Sequence, residues 1–350
     1  MRNSVPRQAM WKRRGEMRFA NSLGISAARY GTVCAALCAT LLLATVVQAA
    51  NGQAKNHTQR KAAASTWSKY DCAEGVELRV SAPAASQGSL LLAEVRSTKP
   101  LGAVAGTWTD KDVPFWQANP AAAKGTYRWS AFLGLDLELA AGEYKLSVSG
   151  KSEAGEAVAC AATIGVRAGK FATEKLTVAP NFVEPNPEQL AKAQEDGKKL
   201  REIFATITPE KLWTGRFRAP LDGVKTGGNF GKRRVLNGHP NSPHTGVDFP
   251  APTGTPVHAA QRGRVVLAEL LYYSGNTVVV DHGWGVYTLY GHFSEIDVKP
   301  GEMVDTGAIL GKVGATGRAT GPHLHWGLTV DRARVNALQI VALGTQVATE

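Results

Sequence analysis

The chain has 350 residues, of which 44% are hydrophobic and 37 are glycine, a balance that excludes a disordered polymer and suits two turn-rich, strand-rich globular domains. Its formal net charge is +11, but residues 1–50 hold seven Lys/Arg and one Glu, so +6 belongs to them and about +5 to the remainder. That mild basicity suits contact with an acidic polymer or surface, and the absence of a clustered Arg/Lys run with interleaved aromatics argues against nucleic acid.

Residues 1–50 read as a targeting segment. Arg2, Arg7, Lys12, Arg13, Arg14 and Arg18 precede an uncharged run from Tyr30 to Asn51 centred on "AALCATLLLATVV", and Val47-Gln48-Ala49 offers small residues for signal peptidase. A cleaved secretory signal is the expectation. An uncleaved membrane anchor, and with it a membrane tether, is the alternative, since the run is just long enough to span a bilayer. Either way the rest of the chain is expected outside the cytoplasm, periplasmic or extracellular. Cys34 and Cys38 fall in this leader, which leaves Cys72 and Cys160 as an even pair in an oxidising compartment, where one disulfide is expected and two separate buried thiols are the alternative.

From about Trp67 to Arg167 the hydrophobic pattern has period two. "VELRVSAP" and "SLLLAEVRS" read as strands, and "GLDLELAAGEYKLSVSG" reads as a hairpin: Leu135, Leu137 and Leu139 alternate with Asp136 and Glu138, the chain turns at Ala141-Gly142, and Tyr144, Leu146 and Val148 follow. The fold expected for residues 51–168 is an Ig-like β-sandwich, whose first and last strands a Cys72–Cys160 bridge would join. Residues 169–215 change character. Asn186 fits an N-cap, Pro187 the first helical position and Gln189 the far side of a capping box, so a helix is predicted with Leu190, Leu200, Ile203 and Phe204 roughly on one face. This stretch reads as a semi-rigid helical connector. Residues 216–336 are Gly-rich with short strands and no helical periodicity, which predicts a compact, mostly antiparallel β domain, and 337–350 read as a C-terminal tail.

Seven of the eight histidines lie between 239 and 325. In "GPHLHWGLTV" strand alternation puts Leu324, Trp326, Leu328 and Val330 on one face and His323 and His325 on the other. In "HTGVD" His244 and Asp248 share parity and aim to one side. Adding one of the His323/His325 pair gives a His₂-Asp donor set with an open fourth position, the arrangement of catalytic zinc. His292, closing "VYTLYGH", and the remaining His of the pair would then be free to move protons, since imidazole titrates near neutral pH.

"HTGVD", "YGH" and "GPHLHW", in this order and spacing, resemble the lysostaphin/LytM-type zinc metalloendopeptidases of bacterial cell walls. The resemblance continues through "FRAPLDG", "FGKR" and "APTGTPVHAAQRGRVV" and covers roughly 217–336. It implies that the C-terminal β domain is the metallopeptidase, that His244, Asp248 and His325 hold Zn2+, and that His292 and His323 activate water and stabilise the transition state. It also implies peptidoglycan as partner, with hydrolysis of peptide cross-links, D-Ala to meso-diaminopimelate being the expected bond. One departure stands out: several members carry a tyrosine a few residues before the first zinc His, and "RVLNGHPNSP" has none. The alternative function is a non-catalytic wall-binding regulator that activates an amidase, the role of members that have lost zinc ligands.

Other residues carry plainer readings. His282 in "VVVDHG" is expected in a turn or hydrogen bond, His258 at the surface, His239 solvated in the loop before the site and Trp326 in the core. Arg233 in "FGKR" is read as either structural or in contact with a substrate carboxylate.

Overall fold

A computed structural model describes residues 67–119, 125–153, 155–226 and 228–347. The expected leader lies outside these residues, and among the described residues no helix is long and apolar enough to cross a membrane. The architecture is mainly β, as the alternating patterns require.

Strands β1–β10 form two five-stranded sheets. One runs in the order β1 (Ser68–Ala73), β2 (Val76–Val80), β4 (Leu90–Ser97), β8 (Tyr127–Gly134), β7 (Trp116–Asn119). The other runs β3 (Ala84–Ser86), β10 (Ala157–Arg167), β9 (Gly142–Ser152), β5 (Leu101–Trp108), β6 (Lys111–Pro114). Leu78, Val80, Leu91 and Val95 from the first sheet meet Leu146, Val148, Ile164 and Val166 from the second, so each strand's apolar parity closes one sandwich core. The disulfide Cys72–Cys160 ties β1 to β10, with the two Cα atoms 4.8 Å apart, and so crosses from one sheet to the other.

The hairpin expected over residues 135–148 does not form. β8 ends at Gly134 in one sheet and β9 begins at Gly142 in the other, so the leucines between them line a crossing loop. Leu135 and Leu137 are fully buried there. Asp136 and Glu138, which alternation assigns to a solvent face, are gripped by Arg334: its backbone N–H and guanidinium donate to Asp136 at 2.6–3.0 Å, and its Nη2 donates to Glu138 at 3.0 Å. A long-range ion pair, invisible to local pattern, fixes this segment.

The connector holds a strand as well as a helix. β11 (Thr173–Leu176) pairs in parallel with β12 (Arg233–Leu236), and β13 (His239–Pro240) completes a three-stranded sheet. Helix α1 (Pro187–Ala205) starts as expected: Asn186 Oδ1 accepts from the Gln189 N–H at 2.9 Å and Gln189 Oε1 accepts from the Asn186 N–H at 3.0 Å. Leu200, Ile203 and Phe204 pack on Leu267, Leu271, Val279 and Tyr287. Leu190 is exposed instead of joining them; ten residues before Leu200, it falls about 80° off that face at roughly 100° per residue. Asp196 takes the buried place, accepting from the Tyr272 N–H at 2.7 Å and from Lys192 Nζ at 2.5 Å.

The C-terminal sheet runs β14 (Gly246–Pro250), β21 (His323–Val330), β18 (Val286–Ile296), β17 (Gly275–Asp281), β16 (Gly263–Leu271), β19 (Met303–Val304). β22 (Ala333–Val335) adds to β21, and β15 (Pro256–His258) joins through β20 (Ile309–Val313), every pairing being antiparallel. Its core packs Phe249, Tyr290, Phe293, Leu324 and Trp326 and continues without a break into Leu90, Leu92, Trp116 and Phe132 of the sandwich. The Trp116 and Trp213 rings meet edge-on at 5.2 Å. β4 is therefore buried on both faces, which explains its unbroken apolar run. Residues expected as a tail instead form helix α2 (Leu338–Val347): Ile340 enters this shared core, and Gln339 Oε1 accepts from the Leu90 N–H at 2.5 Å.

Candidate functional site

The β14–β21 ladder builds the site. Asp248 stands directly opposite His325 and Pro250 opposite His323, so the antiparallel register brings a carboxylate and an imidazole of one sheet face into contact. Trp326, Leu324 and Leu328 fill the core on the opposite face, as alternation requires. His244 lies just before β14 and points to the same side. Gly246 makes room, since a Cβ there would come within 2.6 Å of the His325 ring.

Three donor atoms converge. His244 Nε2 and His325 Nδ1 are 2.9 Å apart, His325 Nδ1 and Asp248 Oδ1 3.0 Å, and His244 Nε2 and Asp248 Oδ1 3.1 Å. These are the residues among those described that could hold a metal ion together. The chemistry of the set suits a cation. His244 Nδ1 sits 3.0 Å from the Asn229 carbonyl, which only accepts, so the proton is on Nδ1 and Nε2 offers a lone pair to the same point as the carboxylate. A tetrahedral zinc with donors at about 2.0–2.1 Å spaces them about 3.3–3.4 Å apart, close to the triangle present here.

Asn229 braces the set, a role the sequence reading did not give it. Its carbonyl accepts from His244, its Oδ1 accepts from the Asp248 N–H at 3.0 Å, and its Nδ2 donates to Asp248 Oδ2 at 2.6 Å. One residue thus braces both ends of the "HTGVD" segment, His244 through its backbone carbonyl and Asp248 through its side chain. Burial would raise the Asp248 carboxyl, but the imidazoles of His244 and His325 beside it outweigh burial and hold it far below the usual carboxylate range. Burial pushes the His244 imidazole down to about 4 against the pull of Asp248, so it stays neutral and ligand-ready at neutral pH.

His292 and His323 stand beside the triangle with ring centroids 4.6 Å apart. His292 Nδ1 donates to the Thr316 carbonyl at 2.7 Å and His323 Nδ1 to the Gly321 carbonyl at 2.8 Å, which leaves Nε2 of each as a lone pair. His292 reaches this face through a bulge. Tyr290 and Phe293 both point into the core, the β17–β18 register shifts between them, and His292 takes φ 66° with its N–H bound to the Ser274 carbonyl. Plain alternation from Tyr290 would bury His292 in the core; the extra residue turns it to the site. Burial, then the nearby His325 and His323, lowers its pKa to about 3.

A family model, peptidase family M23, matches residues 242–337. The chain is 43% identical over 149 residues to the peptidoglycan DD-endopeptidase ShyA of Vibrio cholerae, covering 41% of this chain and 31% of that one. It is 38% identical over 157 residues to the DD-carboxypeptidase/endopeptidase Mpg of Neisseria meningitidis, covering 45% and 34%. Residues 242–337 are an M23 peptidase domain. A crystal structure from Pseudomonas aeruginosa described as an M23 peptidase superposes with TM-score 0.56 at 28% identity over 74% of this chain and 95% of that one, so the likeness extends well beyond the M23 domain. The chain spans about a third of the length of the curated relatives it matches.

Histidines outside the M23 site have other work. His282 is fully buried, with Nδ1 donating to the Arg262 carbonyl at 2.9 Å and Nε2 2.7 Å from Thr288 Oγ1; burial lowers its pKa to about 4. His258 Nδ1 donates to the Gly307 carbonyl at 2.9 Å, and His239 is exposed on β13. Asn237, in the segment that lacks a tyrosine, is committed to the Val178 backbone by two 3.0 Å bonds. Arg233 faces outward, with Glu138 at 3.9 Å and the Phe171 ring at 5.8 Å. It is the next residue, Arg234, that lines the groove beside Asp248.

Proposed function

We propose that this protein is a zinc-dependent endopeptidase that hydrolyses the peptide cross-links of bacterial peptidoglycan, D-Ala to meso-diaminopimelate being the expected bond. The observation that carries the reading is the constellation on one sheet face: three donors within 3.1 Å of one another beside two imidazoles whose Nε2 atoms carry lone pairs. His244, Asp248 and His325 would hold the ion. Zinc bound there supplies a Lewis acid for the scissile carbonyl and lowers the pKa of water to about 7. His292 and His323 then have complementary tasks. One Nε2 takes the proton from the attacking water, and the protonated ring returns it to the amine nitrogen as the C–N bond breaks. Each Nδ1–H is tied to a carbonyl, so both rings are held in orientation through the step. The peptidoglycan endopeptidase names of the relatives support the substrate class. An exported location, periplasmic or extracellular, is supported by the Cys72–Cys160 disulfide and by the charge pattern of residues 1–50.

Zinc content and muropeptide release measured together test this. His325→Ala is expected to lose both, because a third of the donor set goes. His292→Ala is expected to retain zinc while release falls at least about 100-fold, the usual worth of a positioned acid–base. A wild-type protein that binds no zinc yet stimulates an amidase would replace the enzyme reading with that of a regulator.

A further inference from the structure

A groove of about 290 Å³ opens beside the candidate metal-ligand triangle, lined by Asp248, His323, Arg234, Arg318 and Glu174. Both of its carboxylates are engaged by other groups, Asp248 by Asn229 and His325. Glu174 is engaged by Lys232 Nζ at 2.6 Å, and Arg234 approaches it only to 3.9 Å. The Arg234 guanidinium lies 3.6 Å from Asp248 Oδ2, beyond hydrogen-bond range, while its Nε is buried with no hydrogen-bond partner. Arg318 donates from Nη1 to Asn241 Oδ1 at 3.2 Å and lies over the Tyr273 ring at 4.4 Å; among the described residues no carboxylate lies within ion-pair distance of it. Burial, followed by the positive charge of Arg234, holds the Arg318 guanidinium below its ordinary range.

Arg234 keeps a buried Nε without an acceptor, and Arg318 is a half-buried guanidinium with no carboxylate beside it among the described residues, so an anion entering the groove would complete both. Each offers a planar fork that matches a carboxylate bidentately. Arg234 also lies beside Asp248, one of the residues that would hold the ion, so a group it binds would belong to a peptide residue close to the scissile amide. Leu176, Val178, Leu236 and Pro250 add apolar lining to the same groove, which suits an aliphatic side chain ending in a charge.

We propose that Arg234 and Arg318 bind a free carboxylate on the peptide residue adjoining the scissile amide, and so make the enzyme selective for cross-links that carry this carboxylate over those in which it is amidated. The proposal rests on the endopeptidase reading above and adds its substrate discrimination. Arg318 is the better probe, since Arg234 sits beside a metal ligand.

Wild-type protein is given two purified cross-linked muropeptide dimers that differ only in amidation of the diaminopimelate carboxylate next to the scissile bond. The free-carboxylate dimer is expected to be cut with a kcat/KM at least about tenfold higher, the yield of a charge-assisted hydrogen-bond pair. Arg318→Gln, at unchanged zinc content, is expected to bring the ratio close to one, chiefly through KM, and Arg318→Lys to restore part of it. Equal cleavage of both dimers by wild type, or an unchanged ratio in Arg318→Gln, overturns the proposal alone. Cleavage of neither dimer overturns the endopeptidase reading and this proposal with it. If Arg318→Gln does not fold, the wild-type ratio decides, because it needs no variant.

Discussion

Asn229 touches His244 and Asp248 at once, yet it is neither a ligand nor part of the spacing that marks the site. The candidate ligands were legible: same-face parity groups His244, Asp248 and one of the His323/His325 pair, the motif resemblance picks His325, and these three donor atoms lie within 3.1 Å of one another. Asn229 was not, because its value lies in three contacts made across 15 and 19 residues that no local rule connects. Arg234 went unread for a related reason, while Arg233 sits against Glu138 and Phe171 in keeping with the structural one of its two readings. Which of two adjacent arginines faces the groove depends on the register of β12 against β11, a parallel pairing that the sequence does not announce. Partners that orient ligands are typically worth 10–100-fold in metal affinity. Asn229→Ala is therefore expected to weaken zinc binding by about that factor in chelator competition, with circular dichroism unchanged. Wild-type affinity in the variant would mean that the backbone alone positions the ligands.

Helix α1 and strand β18 show where element-level reading succeeds and where it stops. The start of α1 was legible down to its reciprocal cap, since Asn186, Pro187 and Gln189 act within four residues of one another. The loop from Leu135 to Ala141 looked like half a hairpin because alternation records burial, not which sheet does the burying. His292 is the sharper case: one residue of bulge decides whether an imidazole faces the core or the chemistry, and alternation cannot count it. The left-handed backbone there is disfavoured for any residue with a Cβ by about 1–2 kcal/mol. Comparing two variants isolates that cost, because both lack the ring. His292→Gly is expected to unfold at higher temperature than His292→Ala by an amount equivalent to about 1 kcal/mol, while neither cuts muropeptides. Equal melting temperatures would show that the bulge relaxes when the imidazole is gone.

At the scale of the molecule, residues Ala64–Glu350 make one compact unit, although sequence composition divides them into a sandwich, a connector and an M23 domain. The division is real in element type but not in packing. β4 and β8 carry apolar residues on both faces, so one sheet serves two cores, and Arg334 clamps the crossing loop from the other side. This has a consequence for the disulfide, which lies in the sandwich, far along the chain from the metal ligands. Its 88-residue span restricts the unfolded chain by about 4–5 kcal/mol in the loop-entropy account. Were the sandwich an independent domain, Cys72→Ser/Cys160→Ser would lower one of two calorimetric transitions and leave the other in place. A shared core instead couples them, since unfolding the sandwich strips Trp213, Phe217 and Ile340 of the apolar partners they rest on. The double variant is thus expected to lower a single transition for the whole unit, with zinc release detected at the same reduced temperature. A second transition that keeps the wild-type midpoint, and takes the zinc with it, would show that the M23 domain stands without the sandwich.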